Sequence, residues 1–195
     1  MGLVFSGLAS SGLAAVREKR TGWCTYIDAN GRTRLEQQFE QCHLFREGVA
    51  LVERFGGEIA FIDLAGGNLF TLPAGSVAFD FGDGVAPVRR PGDAGFQYVD
   101  RSGRAAISQR FEQARTFVDG RAPAMRNGRW GFIDRRGEFV IPPVYVEAGI
   151  FREGRAPVQV EGSRWWGYLL PDGRWAVEPQ PNVTLAGLTV PVASP

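Results

Sequence analysis

Residues 129–145 read RWGFIDRRGEFVIPPVY, and how this stretch is read decides the fold. Trp130-Gly131-Phe132-Ile133 is aromatic and apolar, which suits a strand. Asp134-Arg135-Arg136-Gly137 has the form of a tight reversal: an aspartate can accept from backbone N–H groups just ahead of it, and a glycine can take positive φ. Phe139-Val140-Ile141 then reads as a third strand. Pro142 and Pro143 are expected to stop it, since neither can donate a ladder hydrogen bond. The indole, the carboxylate and the glycine loop could equally belong to a functional site, so the question is whether the stretch is unique.

It is not unique. Aligning on a glycine followed by small apolar residues gives GLAAV (12–16), GVALV (48–52), GVAPV (84–88), GRAPA (120–124) and GRAPV (154–158), at spacings of 36, 36, 36 and 34. The last four glycines share Phe45, Phe81, Phe117 and Phe151 three residues ahead, and Glu47, Asp83, Asp119 and Glu153 immediately ahead. A second block follows each: YIDANG, FIDLAG, YVDRSG, FIDRRG and YLLPDG, ending at Gly31, Gly66, Gly103, Gly137 and Gly173. Five copies of a strand–hairpin–strand–turn–strand unit therefore fill the chain. The expected fold is all-β, built of five three-stranded meanders in a propeller-like ring, with an open twisted array as the alternative. The chain reads as one domain over 1–195, with 179–195 as a C-terminal cap or tail.

The fourth copy, with its W-G-F-I-D-x-x-G and V-I-P-P-x-Y, resembles the bacterial WG repeat, whose pattern continues into F-x-E-G-x-A-x-V. The resemblance covers nearly the whole chain, although the other copies have drifted. In the Trp-Gly column they carry Cys24-Thr25, Ile59-Ala60, Phe96-Gln97 and Trp166-Gly167. The resemblance implies a β-repeat scaffold and carries no catalytic residues with it.

Composition narrows the function. The chain has 195 residues, 44% of them hydrophobic, and a net charge of +1, which argues against a protein that coats nucleic acid or anionic membrane. No apolar run approaches the roughly 18–20 residues of a membrane span. The N-terminal MGLVFSGLASSGLAAVREKR has its basic residues after its apolar part, the reverse of a signal peptide, and is expected to be folded. Two cysteines provide no disulfide framework, so a bacterial-type cytosol is the expected compartment. Cys42 takes the place of Ala114 and Ala148 in later copies and reads as a small buried side chain.

His43 is the only histidine, and with Cys24 and Cys42 it has no partners at zinc-ligand spacing. Asp28, Asp63, Asp100 and Asp134 recur with the repeat and read as turn residues, whereas a catalytic pair needs a singular environment. No metal, cofactor or catalytic set is expected, and the protein is not expected to be an enzyme.

What varies is the hairpin loop between the first two strands: REKRTG (17–22), RFGG (54–57), RPGDA (90–94), RNGR (126–129) and EGSRW (161–165). Variable loops on a repeat scaffold tend to form the binding face. Trp23 and Trp165 take the same offset in the first and last, and Arg90, Arg126 and Arg129 complete a set of expected anchors. Residues 89–136 hold eleven arginines against five acids. That favours an acidic protein surface as partner over nucleic acid. The expected function is a non-catalytic protein-binding module, in its most specific form an inhibitor or immunity-type protein that binds an effector. The alternative is carbohydrate or cell-wall binding through exposed tryptophans.

Overall fold

The computed structural model describes residues 12–180 throughout and, towards the termini, the backbone of the strands Leu3–Leu8, Asn182–Leu185 and Leu188–Pro191. The side chains of the expected cap beyond Gln180, and of the first eleven residues, lie outside the described residues. The described chain is all-β, in several small antiparallel sheets, and divides into two compact units, residues 1–110 and 111–195.

In the first unit, one sheet has the order Leu3–Leu8, Ala14–Glu18, Cys24–Ile27. A second runs Gln41–Cys42, Val49–Glu53, Ile59–Asp63, Asn68–Leu72. A third runs Val77–Ala78, Ala86–Arg89, Phe96–Val99, Ala105–Phe111. The second unit holds the sheets Ala122–Arg126, Arg129–Ile133, Phe139–Tyr145 and Glu147–Ala148, Ala156–Gln159, Trp166–Leu169, Trp175–Val177. The backbone of Asn182–Leu185 and Leu188–Pro191 forms a two-stranded hairpin.

The three-stranded meander expected from sequence is therefore incomplete. The connector between copies also contributes a short strand, Gln41–Cys42, Val77–Ala78 or Glu147–Ala148, which pairs with the first strand of the hairpin that follows. Two residues carry too weak a periodicity to announce a strand.

Each connector enters its sheet through a two-residue turn. Glu47 and Gly48 have φ of 52° and 77°, and Arg46 and Val49 exchange both backbone hydrogen bonds across them. Asp83, Asp119 and Glu153 adopt the same positive φ before their glycines. This double left-handed turn matches the right-handed twist of the strands it joins. The Glu47 carboxylate also accepts from the Gly84 N–H at 2.8 Å, tying one such turn to the next.

The Asp-x-x-Gly reversals form as expected. Asp134 Oδ1 accepts from the N–H groups of Arg136 and Glu138, and the Gly137 N–H donates to the Asp134 carbonyl. The same pattern occurs at Asp28, Asp63 and Asp100. Backbone donation from Arg32 holds the Asp28 carboxyl below its ordinary pKa, and the Ser102 hydroxyl does the same at Asp100. Leu170 replaces the aspartate in the last sheet, yet its backbone makes the same turn with Gly173 and Arg174. Gly137 has φ of 85° and Gly103 of 75°, so a β-branched residue is strained at either. At Gly103 an added Cβ would also meet the Phe70 ring at 2.8 Å. Gly137→Val and Gly103→Val are each expected to cost about 1–3 kcal/mol. Unchanged denaturation midpoints for both would count against this turn geometry.

The prolines behave differently from the expectation. The strand Phe139–Tyr145 runs through Pro142 and Pro143. Trp130 pairs with Tyr145 and Phe132 with Ile141, so three residues lie between partners on one strand and a single residue, Gly131, on the other. The prolines sit in this bulge, where no ladder donor is required. In the second sheet the third strand, Asn68–Leu72, pairs through Ala60↔Thr71 without such a bulge.

Packing follows from strand alternation. In a sheet's second strand, alternate residues face the next sheet within the same unit. Cys24 and Tyr26 pack with Phe45, Ala50 and Val52. Phe61 packs with Phe81, Ala86 and Val88, and Trp130 and Phe132 pack with Ala148, Phe151, Ala156 and Val158. Ring pairs recur at these contacts: Tyr26–Phe45 at 4.8 Å, Phe61–Phe81 at 5.3 Å and Phe132–Phe151 at 5.0 Å between centroids. Phe45, Phe81 and Phe151, each three residues before a strand glycine, are therefore plugs that cover the preceding sheet.

Cys24 and Cys42 form a disulfide, with Cα atoms 6.1 Å apart. This corrects the reading of Cys42 as a small buried side chain and of the two cysteines as providing no disulfide framework. Cys42 pairs with Val52 as Ala148 pairs with Val158, so its place in the alanine column is right. However, that column lies against the Trp-column residue of the preceding sheet, and there Cys24 stands.

Candidate functional site

The hairpin loops between first and second strands carry the expected anchors. In the first loop the Glu18 N–H donates to the Trp23 carbonyl, and Thr21 links the Glu18 carboxylate to the Trp23 N–H. This brace leaves the indole projecting, 42% exposed. In the second loop Arg54 is held by Glu58 at 3.1 Å and by the Asn68 side chain at 3.1 Å. Phe55, beside it, is 49% exposed. The Trp23 and Phe55 rings meet edge-on, with centroids 4.8 Å apart. Two loops of one unit thus form a projecting aromatic pair.

The arginines among the expected anchors are engaged internally. The Arg90 guanidinium donates to the Gly103 carbonyl at 3.4 Å, and its backbone N–H donates to Asp93, which also pairs with Arg110. Arg126 lies over the Phe139 ring at 4.8 Å and the Phe111 ring at 5.9 Å. Arg129 pairs with Glu161 at 2.7 Å. Between them, Asn127 and Gly128 form a tight turn whose N–H groups both donate to the Glu112 carboxylate. Trp165 is half-buried, with Arg164 over its ring at 4.9 Å. Of the five residues singled out from sequence, Trp23 is the one large apolar side chain the structure leaves exposed. Trp23 and Arg90 belong to the first unit and Arg126, Arg129 and Trp165 to the second.

Sequence reasoning missed three features. Phe55 was hidden in a loop read as RFGG, where arginine drew the attention. Trp166, in the same column as the buried Trp130, is 44% exposed, and Tyr168, two residues on, is 38% exposed. His43 Nδ1 lies 2.9 Å from Asp80 Oδ1, and Arg46 Nε lies 3.3 Å from the other oxygen. The bond to Asp80 raises the His43 pKa above its ordinary value. Burial raises that of Tyr26, whose hydroxyl donates to the His43 carbonyl at 2.6 Å. Among the described residues no group of three or more His, Cys, Asp or Glu side chains is placed to hold a metal ion.

The columns at Trp130-Gly131, Asp134 and Gly137 have a counterpart among known families. A family model described as "WG containing repeat" matches residues 25–57, 98–130 and 130–165, together just over half of the chain. The chain belongs to the WG-repeat family. No curated protein matches this WG-repeat sequence. Among solved structures it is similar to Hsv2 of Kluyveromyces lactis, with a TM-score of 0.58 at 8% identity over 86% of this chain and 61% of that one. It is also similar to Hsv2 of Kluyveromyces marxianus, with a TM-score of 0.55 at 8% identity over 84% of this chain and 57% of that one. A streptogramin B lyase structure matches with a TM-score of 0.51 at 14% identity over 89% and 67%. The WG-repeat chain thus spans less than two thirds of either Hsv2 chain. At these identities the likeness is one of fold, and the neighbours are propeller-like.

Proposed function

We propose that this WG-repeat protein is a non-catalytic protein-binding module whose contact surface centres on Trp23 and Phe55. The observation that carries this reading is the edge-on aromatic pair on two adjacent variable loops, each ring close to half exposed. Aromatic anchors of this kind bury much area with few rotatable bonds and dominate interface energetics. The inhibitor or immunity-type form of the proposal rests on the sequence alone. The acidic character of the partner, argued from residues 89–136, is weakened because Arg90, Arg126 and Arg129 are already engaged. Carbohydrate binding is the second reading, favoured by the same exposed indole at Trp23.

Capture from the native organism followed by kinetics with the purified partner tests the first reading. Trp23→Ala and Phe55→Ala are each expected to weaken binding by about 2 kcal/mol, chiefly through faster dissociation. Stability should change little, since both side chains are exposed. Retention on a glycan resin that Trp23→Ala abolishes would instead establish the second reading. Partner binding at wild-type rates in both variants would rule out this surface.

Five structural repeats are part of the same proposal, supported by the glycine columns and by the propeller-like neighbours. The repeats form either a propeller-like ring or an open twisted array. Small-angle scattering separates the two.

A further inference from the structure

Trp23 and Phe55 meet at positions that the repeat also brings together in the second unit. Trp23 stands directly before Cys24 in the Trp column, as Arg129 stands before Trp130, and Phe55 follows Gly48 by seven residues, as Glu161 follows Gly154. In the second unit these two positions hold the Arg129–Glu161 ion pair, at 2.7 Å. The contact between successive hairpin loops is therefore set by how one sheet is held against the next. In the second unit that junction is packed, with Trp130 and Ala148 in one core at 5% and 1% exposure. In the first unit the same two columns hold Cys24 and Cys42, joined by the disulfide. The route from this bond to each ring is short. Trp23 is the immediate neighbour of Cys24, while Cys42 pairs with Val52 and Gln41 with Glu53, two residues before Phe55. The chain steps from the first sheet to the second here: Phe39 exchanges backbone hydrogen bonds with Cys24, and the Glu40 N–H donates to the Glu53 carbonyl. Arg17 also holds the step, donating to the Gly22 carbonyl, to the Glu40 carbonyl at 3.0 Å and to Gln41 Oε1 at 2.7 Å. Between the side chains, however, two unlinked thiols would fill less volume than an indole against a methyl group, and packing alone would hold the junction weakly.

We propose that the Cys24–Cys42 disulfide is a redox switch for the aromatic surface: the bond holds the Trp23 and Phe55 rings together as one contact patch, and its reduction lets the two loops part while the sheets stay folded. The inference rests on the reading of that pair as the contact surface and adds how the surface is controlled. The chemical step is thiol–disulfide exchange with a dithiol. One sulfur of the dithiol attacks Cys42, the more exposed partner, and the S–S bond breaks with Cys24 leaving as a thiolate that takes up a proton. The second sulfur of the dithiol attacks the mixed disulfide, and Cys42 leaves in the same way. Two electrons and two protons thus pass from the dithiol to the protein, and the dithiol becomes a cyclic disulfide.

Proton NMR reads the ring contact directly, as cross-relaxation between the Trp23 indole and the Phe55 ring, assigned with Trp23→Phe and Phe55→Leu. The oxidised protein should show it. Dithiothreitol should abolish it while amide dispersion and circular dichroism remain those of a folded chain, and the sequence offers the reagent no other cysteine. Cys42→Ala, which supplies the alanine of later copies, should show the parted rings with or without dithiothreitol. The purified partner from the capture experiment should bind the reduced protein about tenfold more weakly, the ratio expected if the paired arrangement falls to about one tenth of the population. Undiminished ring contact in the reduced protein or in Cys42→Ala overturns the proposal, as does equal affinity in the two redox states. Global unfolding on reduction overturns it too, because the bond would then staple the whole unit rather than control one surface. A capture experiment that yields no partner removes the contact-surface reading alone, since the ring measurement needs none and still decides whether the bond controls the pair.

Discussion

Gly131→Val is expected to destabilise the protein by about 3–4 kcal/mol, at the upper end of what overpacking costs. A Cβ at Gly131 would lie 2.6 Å from the Ile141 carbonyl oxygen, 2.7 Å from the Pro143 nitrogen and 2.8 Å from Phe139 Cδ1. The first two are backbone atoms of the bulge, and the prolines that form it have fixed φ, so the strand cannot easily withdraw. The same coupling appears in the last sheet, where a Cβ at Gly167 would lie 2.9 Å from the Val177 carbonyl oxygen and 2.8 Å from Pro179. Where the prolines are absent, the column holds a side chain. The Thr25 hydroxyl donates to the Leu35 carbonyl at 2.6 Å, and the Gln97 amide to the Ile107 carbonyl at 3.4 Å. Residues 37 and 109, at the place of Pro143, are glutamines. The glycine of the WG motif is thus required by the proline two residues beyond the carbonyl it faces. The double variant Gly131→Thr/Pro143→Gln, which copies the first sheet, should recover about half of the loss of Gly131→Thr alone, a coupling of the kind expected between touching residues. An unchanged midpoint in urea for Gly131→Val, or strict additivity in the double variant, would sink this account.

That link was not legible in the sequence, although both of its ends were. The periodic glycines gave the strands, the turn aspartates and the connector phenylalanines, because each of these is a local pattern that recurs at one spacing. Gly131 and Pro143 are twelve residues apart and meet only through cross-strand register, which a bulge alters. The prolines were read as a stop for the same reason: a local rule applied without knowing that the bulge removes the need for a donor. At the candidate site the limit was different. Arginine and tryptophan were ranked by residue type, but whether a side chain binds depends on what its neighbours already take. Glu161 takes Arg129, and the Phe139 ring takes Arg126, while nothing in the loop's own sequence marks Phe55 as the partner of Trp23.

Reduction of the Cys24–Cys42 disulfide is expected to lower stability by about 3 kcal/mol, since it releases a loop of sequence separation 18 in the unfolded chain. The bond joins the Trp column of the first sheet to the alanine column of the connector that enters the second. In the second unit the equivalent residues, Trp130 and Ala148, share a core by packing alone. At this junction the small Cys24 replaces an indole, so less apolar area is buried there, and the covalent link makes up for the weaker contact. Denaturant unfolding of the oxidised and reduced wild-type protein isolates the crosslink without changing any side-chain volume. Cys42→Ala is the milder substitution to pair with it, because Ala78, Ala114 and Ala148 already stand in that column. It leaves Cys24 as a thiol and should reproduce most of the loss. Thiol titration of the denatured, unreduced protein should find no free cysteine. Two titratable thiols, or equal midpoints in the two redox states, would remove the staple from the account. Where it holds, the stability that it contributes is present under oxidising conditions and absent where glutathione keeps thiols reduced.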